Sequence, residues 1–153
     1  SVAELAALGI RTASFRIGVV LAKEGGALAE FVKPLRWGLG AYFGDGQAWY
    51  SWIHRDDVCR AFIWVLENQS VTGVFNLVAP EPVRNRDLVK ATATAMRHWA
   101  VLLPAPTFAM RILFGEMAAV ILNSNRVSAE KIQGAGFRFQ YPNLGSALEA
   151  IFE

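Results

Sequence analysis

"TASFRIGVVL", from Thr12 to Leu21, is a short apolar run whose flanks decide the fold. Ahead of it, "SVAELAALGI" reads as the tail of a helix with Gly9 as its C-cap, and "AKEGG" closes it behind. A helix, a glycine and a buried strand make half of an α/β unit. The same alternation returns downstream. Val58, Ala61, Phe62, Val65 and Leu66 repeat with helical spacing between Asp57 and Asn68, "GVFNLVA" (Gly73 to Ala79) predicts a second strand, and Asn85 is a suitable N-cap for a helix carrying Leu88, Ala91, Thr92 and Ala95 on one face.

Other segments fill in around this frame. A helical stretch from Ala27 to Gly38 is interrupted by Pro34, and "GLGAYFGDGQAWYSWIH" is extended between glycine turns. "LLPAP" breaks the chain before the apolar stretch "FAMRILFGEMAAVIL" (108–122), which reads as a buried helix. Ser128 caps a short helix, Phe137, Phe139 and Tyr141 alternate as on a half-buried strand, and an amphipathic turn or two runs from Leu144 to Phe152. The expected class is α/β, one unit over 1–153, with a helix-rich region over about 84–153.

Composition narrows the function. With 153 residues, 54% apolar and 18% charged, the chain has the makeup of one domain with a substantial core. A net charge of +2 without a basic run interleaved with aromatics argues against nucleic acid. Cys59 is the only cysteine, which excludes an intrachain disulfide and fits a reducing cytoplasm. Segment 108–122 is shorter than the roughly 20 apolar residues that span a bilayer, and the N-terminus has no basic region of the kind that opens a signal peptide. No membrane partner is expected.

The densest polar cluster is "WIHRDDV" (Trp52 to Val58). A kinase catalytic loop needs an Asn five residues after the Asp of HRD, and Ala61 stands there. A metal site would draw on His54, Asp56, Asp57 and Cys59, but consecutive carboxylates diverge along the backbone; no metal is expected. Asp56 or Asp57 is expected to cap the following helix. His54 is read either as a hydrogen-bonded histidine at a packed corner or as a substrate contact facing a cleft. "GLGAYFG" (38–44) lacks the preceding strand and following helix that a dinucleotide fingerprint requires.

Taken in order, "RIGVVLAKEGGAL", "GDGQAWYSWIHRDDVCRAF", "GVFNLVAPEPVRNRDL" and "NRVSAEKIQGAGFRFQYPNLGSALEAIF" closely resemble the C-terminal half of an atypical branch of the extended short-chain dehydrogenase/reductases. That epimerase-like branch is often labelled nucleoside-diphosphate-sugar epimerase or cell-division inhibitor. The resemblance covers nearly the whole chain. It implies a parent about twice this length, whose N-terminal half is a Rossmann fold with a glycine fingerprint for NAD or NADP and a Tyr-x-x-x-Lys pair. Neither device is found here: four residues after Tyr42, Tyr50 and Tyr141 stand Gly46, His54 and Gly145.

By this resemblance the chain is the last Rossmann strands (about 1–22 and 56–80) plus a substrate-binding lobe, inactive alone and without tight cofactor binding. Arg16 and Gly18, in "RIGV", fall on the strand that runs beneath the nicotinamide. Val19 takes the place of an Asn that contacts substrate in sugar-nucleotide relatives. Trp52 and His54 are matched to the pocket lining, and Arg126 to an arginine that faces substrate phosphates. The partner is thus a small molecule carrying phosphate. Two readings remain open: the substrate half of an NAD(P)-dependent oxidoreductase or epimerase, and a non-catalytic NAD(P)-sensing or protein-binding module presenting Trp49, Tyr50 and Trp52 on its surface. Strand 12–21 should lack its parallel neighbours and leave an exposed edge that pairs with a second copy or with the missing half.

Overall fold

The computed structural model describes residues 4, 5, 8–106 and 125–153. The apolar stretch 108–122 lies outside these residues. In chain order the elements are β1 (Ala13–Ile17), β2 (Val19–Leu21), α1 (Gly26–Leu35), β3 (Leu39–Phe43), β4 (Trp49–Tyr50), β5 (Trp52–His54), α2 (Arg55–Glu67), β6 (Gly73–Leu77), β7 (Val83–Arg84), α3 (Asn85–Ala95), β8 (Val101–Ala105), α4 (Glu130–Gly134) and α5 (Leu144–Phe152). This is an α/β, Rossmann-like arrangement.

The apolar run 12–21 is two strands, because the chain changes partner at Gly18. Up to Ile17 it pairs in parallel with β6, and from Val19 it pairs in parallel with β5. The expectation that this run lacks parallel neighbours is therefore corrected. The resemblance counted strands in a missing half, whereas the pairing strands come from later in this chain. β1 is nonetheless paired on one side only among the described residues, and Ile17, Phe62, Leu66 and Val74 are exposed around it.

β2 and β5 form the wall between two cores. Successive strand residues point to opposite faces, so Leu21 and Trp52 join a core with α1, α3 and α5, while Val20 and Ile53 face a second core with α2, β6 and α4. The first holds Phe31, Leu88 and Leu148; the second holds Val65, Leu77, Ile132 and Phe137. A buried wall of this kind explains why the run reads as continuously apolar rather than alternating.

Several local expectations change for identifiable reasons. α2 is capped by His54, whose Nδ1 accepts the Asp56 backbone N–H at 3.1 Å. Asp57 is instead fully buried and accepts the backbone N–H groups of Gln140 (2.7 Å) and Tyr141 (2.9 Å). Those bonds occupy the backbone that would have formed the strand expected at Phe137, Phe139 and Tyr141, and no strand forms there. Asn85 is the first residue of α3 rather than its cap, and its side-chain oxygen accepts the Phe43 N–H. Ser128 does receive the Glu130 N–H at 3.1 Å, just ahead of α4. "LLPAP" contributes to β8, which runs parallel to β3. Pro34 sits in the last turn of α1 and does not split it.

Candidate functional site

The partner change at Gly18 opens a cleft. In open parallel sheets the space beyond the carboxyl ends of diverging strands is where ligands are held. β1 and β6 end here, and a cavity of about 600 Å³ is lined by Arg16, Gly18, Val19, Ser51, Asn76, Val78, Arg126 and Ser128, among others. Arg16, Gly18, Val19 and Arg126 were all expected at the site, and they meet in this one cleft. A larger groove, about 1060 Å³, runs between α3 and α5, but no strand end contributes to it.

Gly18 serves the crossing itself. A Cβ built there would lie 2.4 Å from the Ser51 carbonyl oxygen and 2.7 Å from Val78 Cγ1. Val19 N–H donates to that carbonyl at 2.9 Å and Gly18 N–H donates to Leu77 O at 3.1 Å. The space free of a side chain is thus taken up by neighbouring strands, which lets them converge at the cleft floor.

Polar groups that the sequence reading did not single out hold the cleft's far wall. The Ser51 hydroxyl donates to Asn125 O at 2.8 Å and accepts the Val127 N–H at 2.9 Å, so one side chain clamps the backbone on both sides of Arg126. Asn76 Nδ2 donates to Ser128 O at 3.3 Å. Both residues carried a signal, since each is a lone polar residue within an apolar or aromatic strand run. Arg126 itself is exposed, with its guanidinium carbon 5.2 Å from the centroid of the Trp49 ring.

Trp52 and His54 are not in this cleft. Trp52 is wholly buried in the first core, and its indole N–H donates to Glu81 O at 2.8 Å. His54 is buried beside Tyr141, with ring centroids 4.0 Å apart, and acts as the α2 cap. It borders a small cavity of about 170 Å³ with Lys23, Glu24 and Asp56. Tyr50 is buried as well, and burial pushes its phenol well above the usual range, so it stays protonated. An exposed surface shared by Trp49, Tyr50 and Trp52 is thereby ruled out, since Tyr50 and Trp52 are buried and only Trp49 is partly exposed.

Burial lowers the His54 pKa below its ordinary 6.5, against the opposing pull of Asp56 and Asp57. A histidine that caps through Nδ1 must be neutral at that atom. Unfolded chains bind a proton near the ordinary value while the folded protein resists it, so this contribution to stability is complete above pH 6.5 and is lost as pH falls through the folded value. His54→Asn keeps a good N-cap without a titrating group. Urea midpoints measured from pH 8 to 5 should fall less steeply for the variant; parallel curves would contradict the assignment.

Among the described residues, no group of three or more His, Cys, Asp or Glu is placed to hold a metal ion, and no helix is long and apolar enough to cross a membrane.

Comparison with known proteins places this geometry. The NAD dependent epimerase/dehydratase family matches residues 7–77, and a domain of unknown function, DUF1731, matches residues 105–151. An epimerase family protein of Staphylococcus aureus is 41% identical over 146 residues, which are 95% of this chain and 48% of that protein. Residues 7–77 of this chain belong to the NAD dependent epimerase/dehydratase family. Within the extended short-chain dehydrogenase/reductases, it is similar to the human epimerase family protein SDR39U1 (isoform 2), solved with NADPH, with a TM-score of 0.85 and 31% identity over 94% of this chain and 48% of that one. A nucleoside-diphosphate sugar epimerase from Corynebacterium glutamicum gives 0.71 and 29%, covering 98% of this chain and 28% of its own. The UDP-glucose 4-epimerase of Thermus thermophilus, solved with NAD, shares the fold at a TM-score of 0.72 and 20% identity, covering 98% of this chain and 48% of its own. The chain spans about half the length of the curated relatives it matches.

Proposed function

We propose that this chain is the substrate-binding half of an NAD(P)-dependent oxidoreductase or epimerase acting on a small, phosphate-bearing molecule. One observation carries the reading: Arg16, Gly18, Val19 and Arg126, drawn from the strand β1–β2 and from a segment more than a hundred residues away, line a single cleft at a strand partner change. Arg126 supplies the anion contact, and Ser51 and Asn76 hold the wall that carries it.

A nicotinamide cofactor, when bound, supplies hydride transfer. The residues of this chain fit its margin, not its grip. Arg16 and Gly18 line the cleft and, by the family resemblance, would sit beside the nicotinamide, but no glycine fingerprint and no Tyr-x-x-x-Lys pair is available here to hold the pyrophosphate or move the substrate proton. Val19 offers the substrate an apolar contact where sugar-nucleotide relatives are expected to offer an amide. A lone cysteine, Cys59, supports a reducing, cytoplasmic setting.

The open side of β1, with Ile17, Phe62, Leu66 and Val74 exposed around it, supports pairing with an N-terminal half or with a second copy. Joined to an upstream half carrying the fingerprint, the protein should bind NADH or NADPH, seen as quenching of its tryptophans and a rise of several degrees in Tm at saturating cofactor. The 153-residue chain by itself should show neither effect. A joined protein with an intact fingerprint that leaves both signals unmoved would overturn this function.

A further inference from the structure

β3 and β8 form a parallel pair that is packed on one face and open on the other. Gly40 and Leu102 meet on the inner face, where a Cβ at Gly40 would also approach Val89 and Leu35. Successive strand residues point to opposite sides, so Leu39, Val101 and Leu103 point outward, and all three are exposed. The ladder opens at Leu39 and Val101, with Val101 N–H donating to Gly38 O at 2.9 Å, and two positions ahead of that pair stand Trp37 and Trp99. These indoles are 85% and 83% exposed, more than any other large apolar side chain among the described residues. Scattered exposed hydrophobics are ordinary, but a group of them on one sheet face and at its entry marks an interaction surface.

The charge along this surface has one sign. Segments 36–43 and 96–105 carry Arg36 and Arg97 and contain no Asp or Glu. Asp87, Glu149 and Glu153 border the α3–α5 groove together with Arg97, yet among the described residues neither arginine is in an ion pair. Arg97 is also held under strain. It follows the α3 C-cap with φ 55°, in the left-handed region that glycine enters freely.

A second copy does not suit this surface, because facing patches would set Arg36 and Arg97 against like charges. Strand addition at β8 is blunted too. Val101 N–H faces β3, so the backbone of Leu102 and Pro104 faces the free edge, where Pro104 has no N–H to offer. Single-stranded nucleic acid is bound by a cationic groove lined with stacking rings, and would leave the aliphatic side chains without a role. Tryptophan beside aliphatic residues and arginine suits the boundary between acyl chains and anionic headgroups.

We propose that the outer face of β3 and β8 docks on an anionic lipid surface, with Trp37 and Trp99 at headgroup level, Leu39, Val101 and Leu103 against the acyl boundary, and Arg36 and Arg97 on lipid phosphates. Such attachment needs neither a spanning segment nor a signal peptide, the two features behind the sequence expectation of no membrane partner. The sheet packs on the first core, whereas β1 packs on the second across the β2–β5 wall, so the lipid-facing surface is separate from the open side of β1.

The test is co-sedimentation of the 153-residue chain with vesicles of phosphatidylcholine alone and of phosphatidylcholine with phosphatidylglycerol in equal parts, with tryptophan emission read in parallel. The chain should pellet with the mixed vesicles and shift its emission to the blue, bind phosphatidylcholine weakly, and come off the mixed vesicles as salt is raised. Trp37→Ser and Trp99→Ser should each weaken binding roughly tenfold and leave the urea midpoint unchanged. Arg97→Gly should weaken binding while keeping or raising the urea midpoint, because glycine relieves the left-handed backbone. Tryptophan variants that unfold as early as a core truncation would show that the chain itself covers the patch, and would overturn the proposal. No pelleting at millimolar lipid overturns it as well. So does binding of single-stranded RNA in place of vesicles, or self-association that the tryptophan variants abolish without any vesicle binding. A protein joined to its upstream half that no longer binds the vesicles would assign the patch to that half, again against the proposal.

Discussion

Asp57→Ala should lower the stability of this chain by roughly 3 kcal/mol, because hydrogen bonds to a charged acceptor contribute roughly 1.5–3 kcal/mol each and this carboxylate makes two. Its oxygens accept the Gln140 and Tyr141 N–H groups from within a fully buried position in the first turn of α2. Arg60 lies 3.7 Å away on the same helix and offsets part of the burial cost. The bonds bridge more than eighty positions, tying the segment before α5 to the wall formed by α2 and β5. Alanine leaves those backbone donors without their acceptor and frees Tyr141 from the His54 ring. Asp56→Ala is the control that separates anchoring from capping. Asp56 is half-buried, and losing its favourable place near the helix N-terminus should cost only about 0.3–1 kcal/mol. Urea unfolding of the two variants reads the difference directly; equal midpoints would refute the anchoring role. Asp57→Asn, which keeps one acceptor oxygen, should fall between them.

Helices with clear periodicity were legible in the sequence, as were strands buried on both faces. α2 and α5 follow the apolar spacing at Ala61, Val65, Leu144, Leu148 and Ile151, because a helix packed on one side must repeat near 3.6 residues. β8 was hidden by Pro104 and by the adjacent leucines, since a proline is tolerated on a strand with few partners but removes the pattern that announces one. The alternation at Phe137, Phe139 and Tyr141 misled in the opposite direction. Periodicity reports which side chains are buried, and in that segment Phe137 and Phe139 pack on the second core and Tyr141 on the first, not on a paired strand.

The same distinction governs the site. Family matching brought Arg16, Gly18, Val19 and Arg126 to one cleft because their positions depend on the strand crossing. It misplaced Trp52 and His54, whose spacing along β5 gives no sign of which face meets solvent. Arg84 escaped notice because its stacking on Trp49 depends on a two-residue ladder that joins residues 35 positions apart. Ser51 and Asn76 were readable as polar interruptions, but their partners lie beyond position 124, so what they hold could not be inferred from the strand alone.

Gly18→Ala should be the most damaging glycine-to-alanine change among the described residues. Overpacking a tight interior costs about 1–3 kcal/mol, and the upper end applies here because the atom in the way is backbone. The added Cβ would stand 2.4 Å from the Ser51 carbonyl oxygen, which also accepts the Val19 N–H that starts the β2–β5 pairing. Moving that carbonyl aside breaks the bond, and moving the β1–β2 strand disturbs Gly18 N–H to Leu77 O on the other side. Gly134 provides the contrast, since a Cβ at that helical position meets nothing within 4 Å, and alanine there should be neutral or gain up to about 1 kcal/mol. The effect of Gly18→Ala should also reach the cleft wall. Displacing the Ser51 backbone shifts the hydroxyl that clamps Asn125 and Val127, so amide exchange at Val127 should quicken along with the fall in urea midpoint, whereas Gly134→Ala leaves that exchange unchanged. A Gly18→Ala protein that unfolds like the unaltered chain would show that the strands can separate freely at this point, and would remove the physical basis for placing the cleft at their crossing.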